Sequence, residues 1–291
     1  MFVIMGATGK VGRATIAALR RRGAPVRAVL REASKAAEFA ALGCETAIAD
    51  LRDAEALRAA IAGAGAVQVI CPMSMAAADA PADMRGMIET MAGALDAVRP
   101  AKVLAISDYG AERAAGTGVT LTFHALEARL RALPTGLTLL RSAEHMQNWS
   151  RLAKAAAASG ILPSLHHPLT KLFPTVSASD VGLVAADLLA AGDAAASPRI
   201  VHVEGPRRYT PVDVAEALAS VAGRPIVARE LPRPDWIAAL TLGGLGMSYA
   251  RLVTELYDAH NAGAIDVEPG AGDVRYGATE LRDVLAAIMR N

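Results

Sequence analysis

Three glycines in the segment Gly6-Ala7-Thr8-Gly9-Lys10-Val11-Gly12 follow the apolar run Phe2-Val3-Ile4-Met5 and open an amphipathic helical pattern. A strand that turns through such a loop into a helix offers an anion unpaired amides and the positive end of the helix dipole. Gly6 permits the tight strand exit. Gly9 lets the backbone around Thr8, Lys10 and Val11 approach a pyrophosphate, and Gly12 lets the helix lie close on the sheet. The chemistry expected is dinucleotide binding; the competing reading is a tight turn with no ligand.

A dinucleotide fold reads the ribose at the end of its second strand, where an acidic residue selects NAD and a basic one NADP. Here that position is Arg31, with Lys35 one turn beyond. A guanidinium fork suits a 2′-phosphate and stacks on adenine, so NADP(H) is expected over NAD(H), unless Arg31 is only a solvated strand-end charge. Asp50-Leu51 is placed for the adenine edge, although Asp50 could equally cap the next helix. Cys71, Pro72 and Met73 end the fourth strand, where the nicotinamide is expected.

Ser107 ends the fifth strand, where a hydroxyl could hold an acceptor oxygen; Tyr109 lies two residues on, and His124 is a donor candidate with near-neutral titration. Met75, Met146 and Trp149 form an expected apolar slot for a planar acceptor, with core packing as the alternative. No metal site is expected: His166-His167 and Glu144-His145 lack ligand spacing. A strained nucleophile turn of the G-x-S-x-G type is absent too.

The elements that must position these residues follow from periodicity. Short β-like runs (Phe2 to Met5, Pro25 to Leu30, Glu45 to Ala49, Ala66 to Cys71, Lys102 to Ile106, Leu137 to Leu140) alternate with helical patterns, the signature of βαβ units and a parallel sheet. Ser34 is expected to cap the second helix, and Ser179 or Asp180 a later one over Asp180 to Leu189. Ile200 to Val203 reads as a further strand. Pro211 to Val221, Pro234 to Leu242 and Ser248 to Asn261 read as helices, the last placed to cover the cleft.

The fold class expected is α/β: a Rossmann doubly wound parallel sheet over residues 1–145 with a smaller C-terminal α/β substrate lobe over 146–291. Segments near 174–205 are expected to return to the sheet. Apolar residues make up 53% of the 291 and aromatic ones 4%, which suits helices packed on such a sheet. Thirty basic and twenty-nine acidic residues, with no block of either sign, disfavour nucleic acid and anionic membranes. Cys44 and Cys71 read as buried thiols of a reducing compartment. No apolar run reaches a membrane span, so the cytoplasm is expected; a homodimer is left open.

Read together, these segments resemble the NmrA-like family of atypical short-chain dehydrogenases over nearly the whole chain. The resemblance rests on Gly6 to Gly12 with Arg13, Val26 to Arg31 with Ser34-Lys35, Asp50-Leu51, Ser107-x-x-Gly110, His124-x-x-Glu127, Arg141 with Asn148, Ser179-Asp180-Val181-Gly182 and Gly205-Pro206. It implies a cofactor across the strand ends and a cleft beneath the smaller lobe. The family holds quinone, azo and phenylpropanoid reductases as well as dinucleotide-sensing regulators. Where typical short-chain dehydrogenases carry Tyr-x-x-x-Lys, this chain reads Phe123-His124-Ala125-Leu126-Glu127, which argues against ordinary ketone chemistry. The leading expectation is therefore NADPH-dependent hydride transfer to a quinone or similar small conjugated acceptor, without that pair. A non-catalytic NADP(H) sensor is the alternative, and a sugar-nucleotide epimerase is weaker still.

Overall fold

The computed structural model describes residues 1–192, 197–271 and 273–290. Strands β1 (Phe2–Ile4), β2 (Val26–Leu30), β3 (Glu45–Ile48), β4 (Ala66–Val69), β5 (Lys102–Asp108) and β6 (Gly136–Ser142) alternate with helices α1 (Lys10–Arg21), α2 (Ala36–Ala41), α3 (Ala54–Ile61), α4 (Ala80–Val98) and α5 (Thr120–Arg131). Beyond β6 come β7 (Glu144–His145), α6 (Ser150–Ser159), β8 (Ile161–Ser164), β9 (Thr175–Val176), α7 (Ala178–Ala190) and β10 (Arg199–Glu204). The chain ends with α8 (Pro211–Ala222), β11 (Val227–Glu230), α9 (Trp236–Leu242), α10 (Met247–Asn261), β12 (Asp273–Tyr276) and α11 (Leu281–Arg290).

Eight strands form one parallel sheet in the order β12-β10-β6-β5-β4-β1-β2-β3. β1 pairs with β2 on one side and β4 on the other, so the winding reverses between β1 and β4. Ligands of such sheets bind in the crevice outside the strand carboxyl ends at that reversal. Ile4, Leu104, Leu140 and Val201 face α1 and α7 in one core, whereas Val3, Val67, Val103 and Leu139 face α3, α4 and α5 in a second. Gly182 of α7 lies so close to α1 that an added Cβ would stand 2.5 Å from the Val11 carbonyl oxygen. A third core, including Leu162, Tyr209, Leu218 and Leu285, joins β8, α8 and α11.

Several caps differ from expectation. Ser34 lies inside a 3-10 turn (Ala33–Lys35), and no side chain caps α2. Ser177, not Ser179 or Asp180, caps α7, its hydroxyl accepting from the Ser179 amide at 3.3 Å. Asp180 instead accepts from the amide and hydroxyl of Thr279, at 2.9 and 2.8 Å, and ties α7 to the segment before α11. β12 and α11 extend beyond the elements read from sequence. β12 is a polar, half-exposed edge strand with no apolar run to announce it. No helix among the described residues is long and apolar enough to cross a membrane.

Candidate functional site

At the β1–α1 turn, Gly6 has φ +68°, and a Cβ there would sit 3.0 Å from the Ile70 Cβ. The Gly9 amide donates to the Gly6 carbonyl at 3.0 Å. Gly9 is the N-cap of α1 and offers no side chain to the first-turn amides, and no acidic residue occupies that turn. A Cβ on Gly12 would overlap the Gly6 carbonyl oxygen. Arg13 braces the loop: its Nε donates to the Thr8 carbonyl at 3.0 Å, it pairs with Glu38, and its guanidinium lies over the Phe39 ring. Thr8 and Lys10 are exposed, whereas Val11 and Gly12 are buried. A bare backbone cradle at a helix N-terminus fits a dinucleotide pyrophosphate.

At the end of β2 the Arg31 side chain is 73% exposed and loosely paired with Glu32 at 3.4 Å, and Lys35 is exposed nearby. Asp50 is not a helix cap. Its Oδ1 accepts from the Arg52 amide at 2.9 Å, while Asp53 caps α3. Arg52 forks onto Asp83 at 2.8 and 2.9 Å, pinning this loop to the first turn of α4. Leu51 packs half-buried against the second core.

Beyond β4, Cys71 is 2% exposed, and burial pushes its thiol up to about 12, far from nucleophilic use. Pro72 is exposed. Met73 packs with Phe123 and Tyr249 around Val119, Leu245, Ala250 and Val253, so α10 closes over the β4 and α5 ends. The expected apolar slot is divided. Met75 is 44% exposed, its carbonyl bonded to the Gly246 amide at 2.8 Å, but Met146 and Trp149 are buried in the third core with Phe173. Those two side chains fill the lobe interior because the turn after β7 points them inward.

Ser107 and Tyr109 are also committed elsewhere. Ser107 Oγ donates to Glu127 Oε1 at 2.6 Å. Glu127 in turn accepts from Arg141 Nε and Nη2, both at 2.8 Å, and Arg141 Nη1 reaches Glu112 at 3.0 Å and Glu268 at 2.5 Å. Burial pushes the Glu127 carboxyl up, but the Arg141 fork outweighs it and holds the group below the usual range. Tyr109 is 1% exposed, donates to Glu204 at 3.2 Å and meets the His202 ring edge-on. Burial, then the Glu204 charge, drives its phenol far above its ordinary value, so it is no proton donor to the crevice. His124 is half-buried with Nδ1 2.8 Å from the Ala111 carbonyl, which leaves Nε2 as its second nitrogen.

The residue between Ser107 and Tyr109 escapes a motif-based reading. Asp108 accepts from Thr120 Oγ1 at 2.7 Å and is pushed up to about 7, first by burial and then by Glu144. Glu144 itself stays ionised. Burial pushes it up, but His166 Nε2 at 2.8 Å, with His260 and the Tyr257 hydroxyl, brings it down to about 2. Burial pushes the neighbouring His145 down to about 4, so it is neutral.

A family described as NAD(P)H-binding matches residues 6–152. The chain is 27% identical over 277 residues to an NAD(P)H azoreductase of Xenophilus azovorans, covering 92% of each. Among solved structures it is similar to a triphenylmethane reductase of Citrobacter sp., with TM-score 0.82, 18% identity, and 100% and 99% of the two chains covered. It is equally similar to an NADPH-dependent quinone oxidoreductase of Escherichia coli complexed with NADPH, at TM-score 0.82, 21% identity, and 99% and 100% coverage. These structural likenesses show a shared Rossmann-type α/β fold.

Proposed function

The chain belongs to the NAD(P)H-binding family, and from that premise we propose an NADPH-dependent oxidoreductase that reduces a quinone, an azo compound or a similar small conjugated acceptor. The observation that carries this reading is the bare backbone cradle of Gly6 to Gly12 at the N-terminus of α1, set at the carboxyl ends of the strands where the winding reverses. The names of the azoreductase, dye-reductase and quinone-reductase relatives support it. Gly6, Thr8, Gly9, Lys10, Val11 and Gly12 hold the pyrophosphate, Arg31 and Lys35 the 2′-phosphate, and Asp50 with Leu51 the adenine edge. When bound, the nicotinamide supplies a hydride beside Cys71, Pro72 and Met73. Apolar walls orient a planar acceptor and exclude water, which is most of what transfer to a strongly electrophilic centre demands.

In this reading residues 1–145 carry the cofactor and 146–291 shape the acceptor site, with about 174–205 returning to the sheet. The protein acts in the cytoplasm, on small molecules and without nucleic acid. NADPH oxidation by the purified chain is expected to depend on an added quinone or azo dye, followed by nicotinamide absorbance. Tight NADPH binding with no turnover on any acceptor would instead favour a sensor, a reading supported by the commitment of Ser107 and Tyr109 to the buried network.

Cofactor choice is separately testable. Arg31→Asp is expected to lower the NADPH-over-NADH affinity ratio by about tenfold or more, the scale of one charge-assisted hydrogen bond. Because Arg31 is largely exposed, the fold should be unaffected. An unchanged ratio would return Arg31 to the role of a solvated charge.

A further inference from the structure

We propose that Asp108 is the proton donor to the reduced acceptor, a role that rests on the reductase reading above. Asp108 is the last residue of β5, which pairs directly with β4, the strand that leads into Met73. Its carboxyl takes no part in the Ser107–Glu127–Arg141 hydrogen bonds and is held instead at the start of α5. Thr120 Oγ1 at the start of α5 donates to Oδ2 at 2.7 Å and fixes the rotamer. The Tyr109 amide faces it from its own segment, Glu144 from β7, Glu127 from α5 and Tyr249 from α10. Tyr249 also belongs to the apolar cluster with Met73 and Phe123, so Asp108 lies beside that cluster at the carboxyl ends of the strands.

No ion pair to a cation holds this carboxyl ionised among the described residues. Burial and the fixed negative charge of Glu144 push it to about 7, against the pull of Thr120 and the Tyr109 amide. The facing groups do not titrate with it: Glu144 is held at about 2, Glu127 is lowered, and burial raises the Tyr249 phenol. A general acid is most effective when its pKa lies near the working pH. Phe123 and Glu127 occupy the positions of the familiar Tyr and Lys and cannot supply that proton, whereas Asp108 approaches from the neighbouring strand end.

The balance is simple. NADPH, oxidised to NADP⁺, delivers one hydride to one end of an azo bond or of a quinone, and the electron pair displaced from the π system becomes a lone pair on the other end. The Asp108 O–H bond breaks as an N–H or O–H bond forms on that atom, and the carboxylate then takes a proton from water. An anionic azo nitrogen is far more basic than a quinol oxygen. Loss of the donor therefore costs more with an azo dye than with a quinone.

The test compares wild type, Asp108→Asn and Asp108→Glu. Turnover is measured against pH with an azo dye and a quinone, alongside thermal unfolding of the cofactor-free protein over the same range. Wild-type azo reduction is expected to fall about tenfold per unit above about pH 7. Asp108→Asn should run about 100-fold slower below that pH and lack the limb; its loss with the quinone should be smaller, and Asp108→Glu should restore part of the rate. The unfolding arm needs no turnover. A carboxyl with a raised folded pKa binds its proton more tightly in the folded state, so the Asp108 contribution to wild-type Tm, read as the difference from Asp108→Asn, falls as pH rises from about 4 to about 7, while His145 and His260 contribute a rise common to both proteins. Asp108→Asn should lack that fall and exceed wild type above pH 7. Active wild type with an unchanged azo rate and pH limb in Asp108→Asn overturns the proposal alone, as does equal loss on both acceptors with the limb intact. Wild type that binds NADPH and reduces nothing overturns the reductase reading and the proposal with it.

Discussion

Arg141→Met is expected to destabilise the protein by about 3–5 kcal/mol, because it strands the buried Glu127 carboxylate, which has no other cation of comparable burial, and takes the same partner from the partly exposed Glu112 and Glu268. Arg141 is 1% exposed and forks onto Glu127, itself 3% exposed, while its third nitrogen reaches Glu112 and Glu268. Arg131 approaches Glu127 only at 3.4 Å and from a half-exposed position, so it cannot replace the fork. Urea unfolding should show a lower midpoint at unchanged slope, and Tm should fall by roughly 10 °C, at about 2–4 °C per kcal/mol for a chain of this size class.

The double variant Arg141→Met, Glu127→Leu separates pairing from burial. Removing both partners of the fork should recover much of the loss, since an apolar pair avoids the desolvation cost that an unpaired charge must bear. The pH dependence has a definite sign. Glu127 is depressed in the folded state, so its contribution is complete above its unfolded value, near 4.5, and is lost as pH falls through the lower folded value. Wild type and Arg141→Met should therefore converge in stability on acidification. A single variant within 1 kcal/mol of wild type at neutral pH would mean that relaxation or water already compensates the carboxylates.

What sequence alone made legible was whatever depends on near neighbours in the chain. The strand-loop-helix order around Gly6 to Gly12 and the basic strand end at Arg31 lie where their local patterns place them. Residues whose role depends on a distant partner were not legible. Ser107 has the right type and place for a catalytic hydroxyl, but its proton is taken by Glu127, twenty residues on. Tyr109, just past the end of β5, joins the core under α1 and α7 and is buried against Glu204, far along the chain. Met146 and Trp149 resemble a ligand slot until β8 and α8 close a core around them. Asp108 matches no motif, and its surroundings are set by Thr120 and Glu144, both distant in the chain. Helix α11 carries a readable stripe in Leu281, Val284, Leu285 and Ile288, the spacing of a helix that buries one face.

Gly12→Ala is expected to weaken NADPH binding by about 100-fold or more, a loss of about 2.7 kcal/mol, from the addition of one methyl group. The new Cβ would overlap the Gly6 carbonyl oxygen and stand 2.9 Å from the Ala7 Cα. Both are backbone atoms, so no side-chain rotation relieves the clash. Either α1 shifts outward or the loop flattens. An outward shift is opposed by α7, because Gly182 already holds the two helices at minimal separation. The loop must therefore give way, and with it the alignment of first-turn amides on which anion binding depends. The same substitution elsewhere provides the control. Gly93 lies within α4 with nothing within 4 Å of an added Cβ, and Gly93→Ala should leave binding unchanged while stabilising the helix by about 0.5–1 kcal/mol. Titrating NADPH into both variants by isothermal calorimetry separates local shape from a general intolerance of alanine. Undiminished affinity in Gly12→Ala would mean that the β1–α1 turn is not where the pyrophosphate is held.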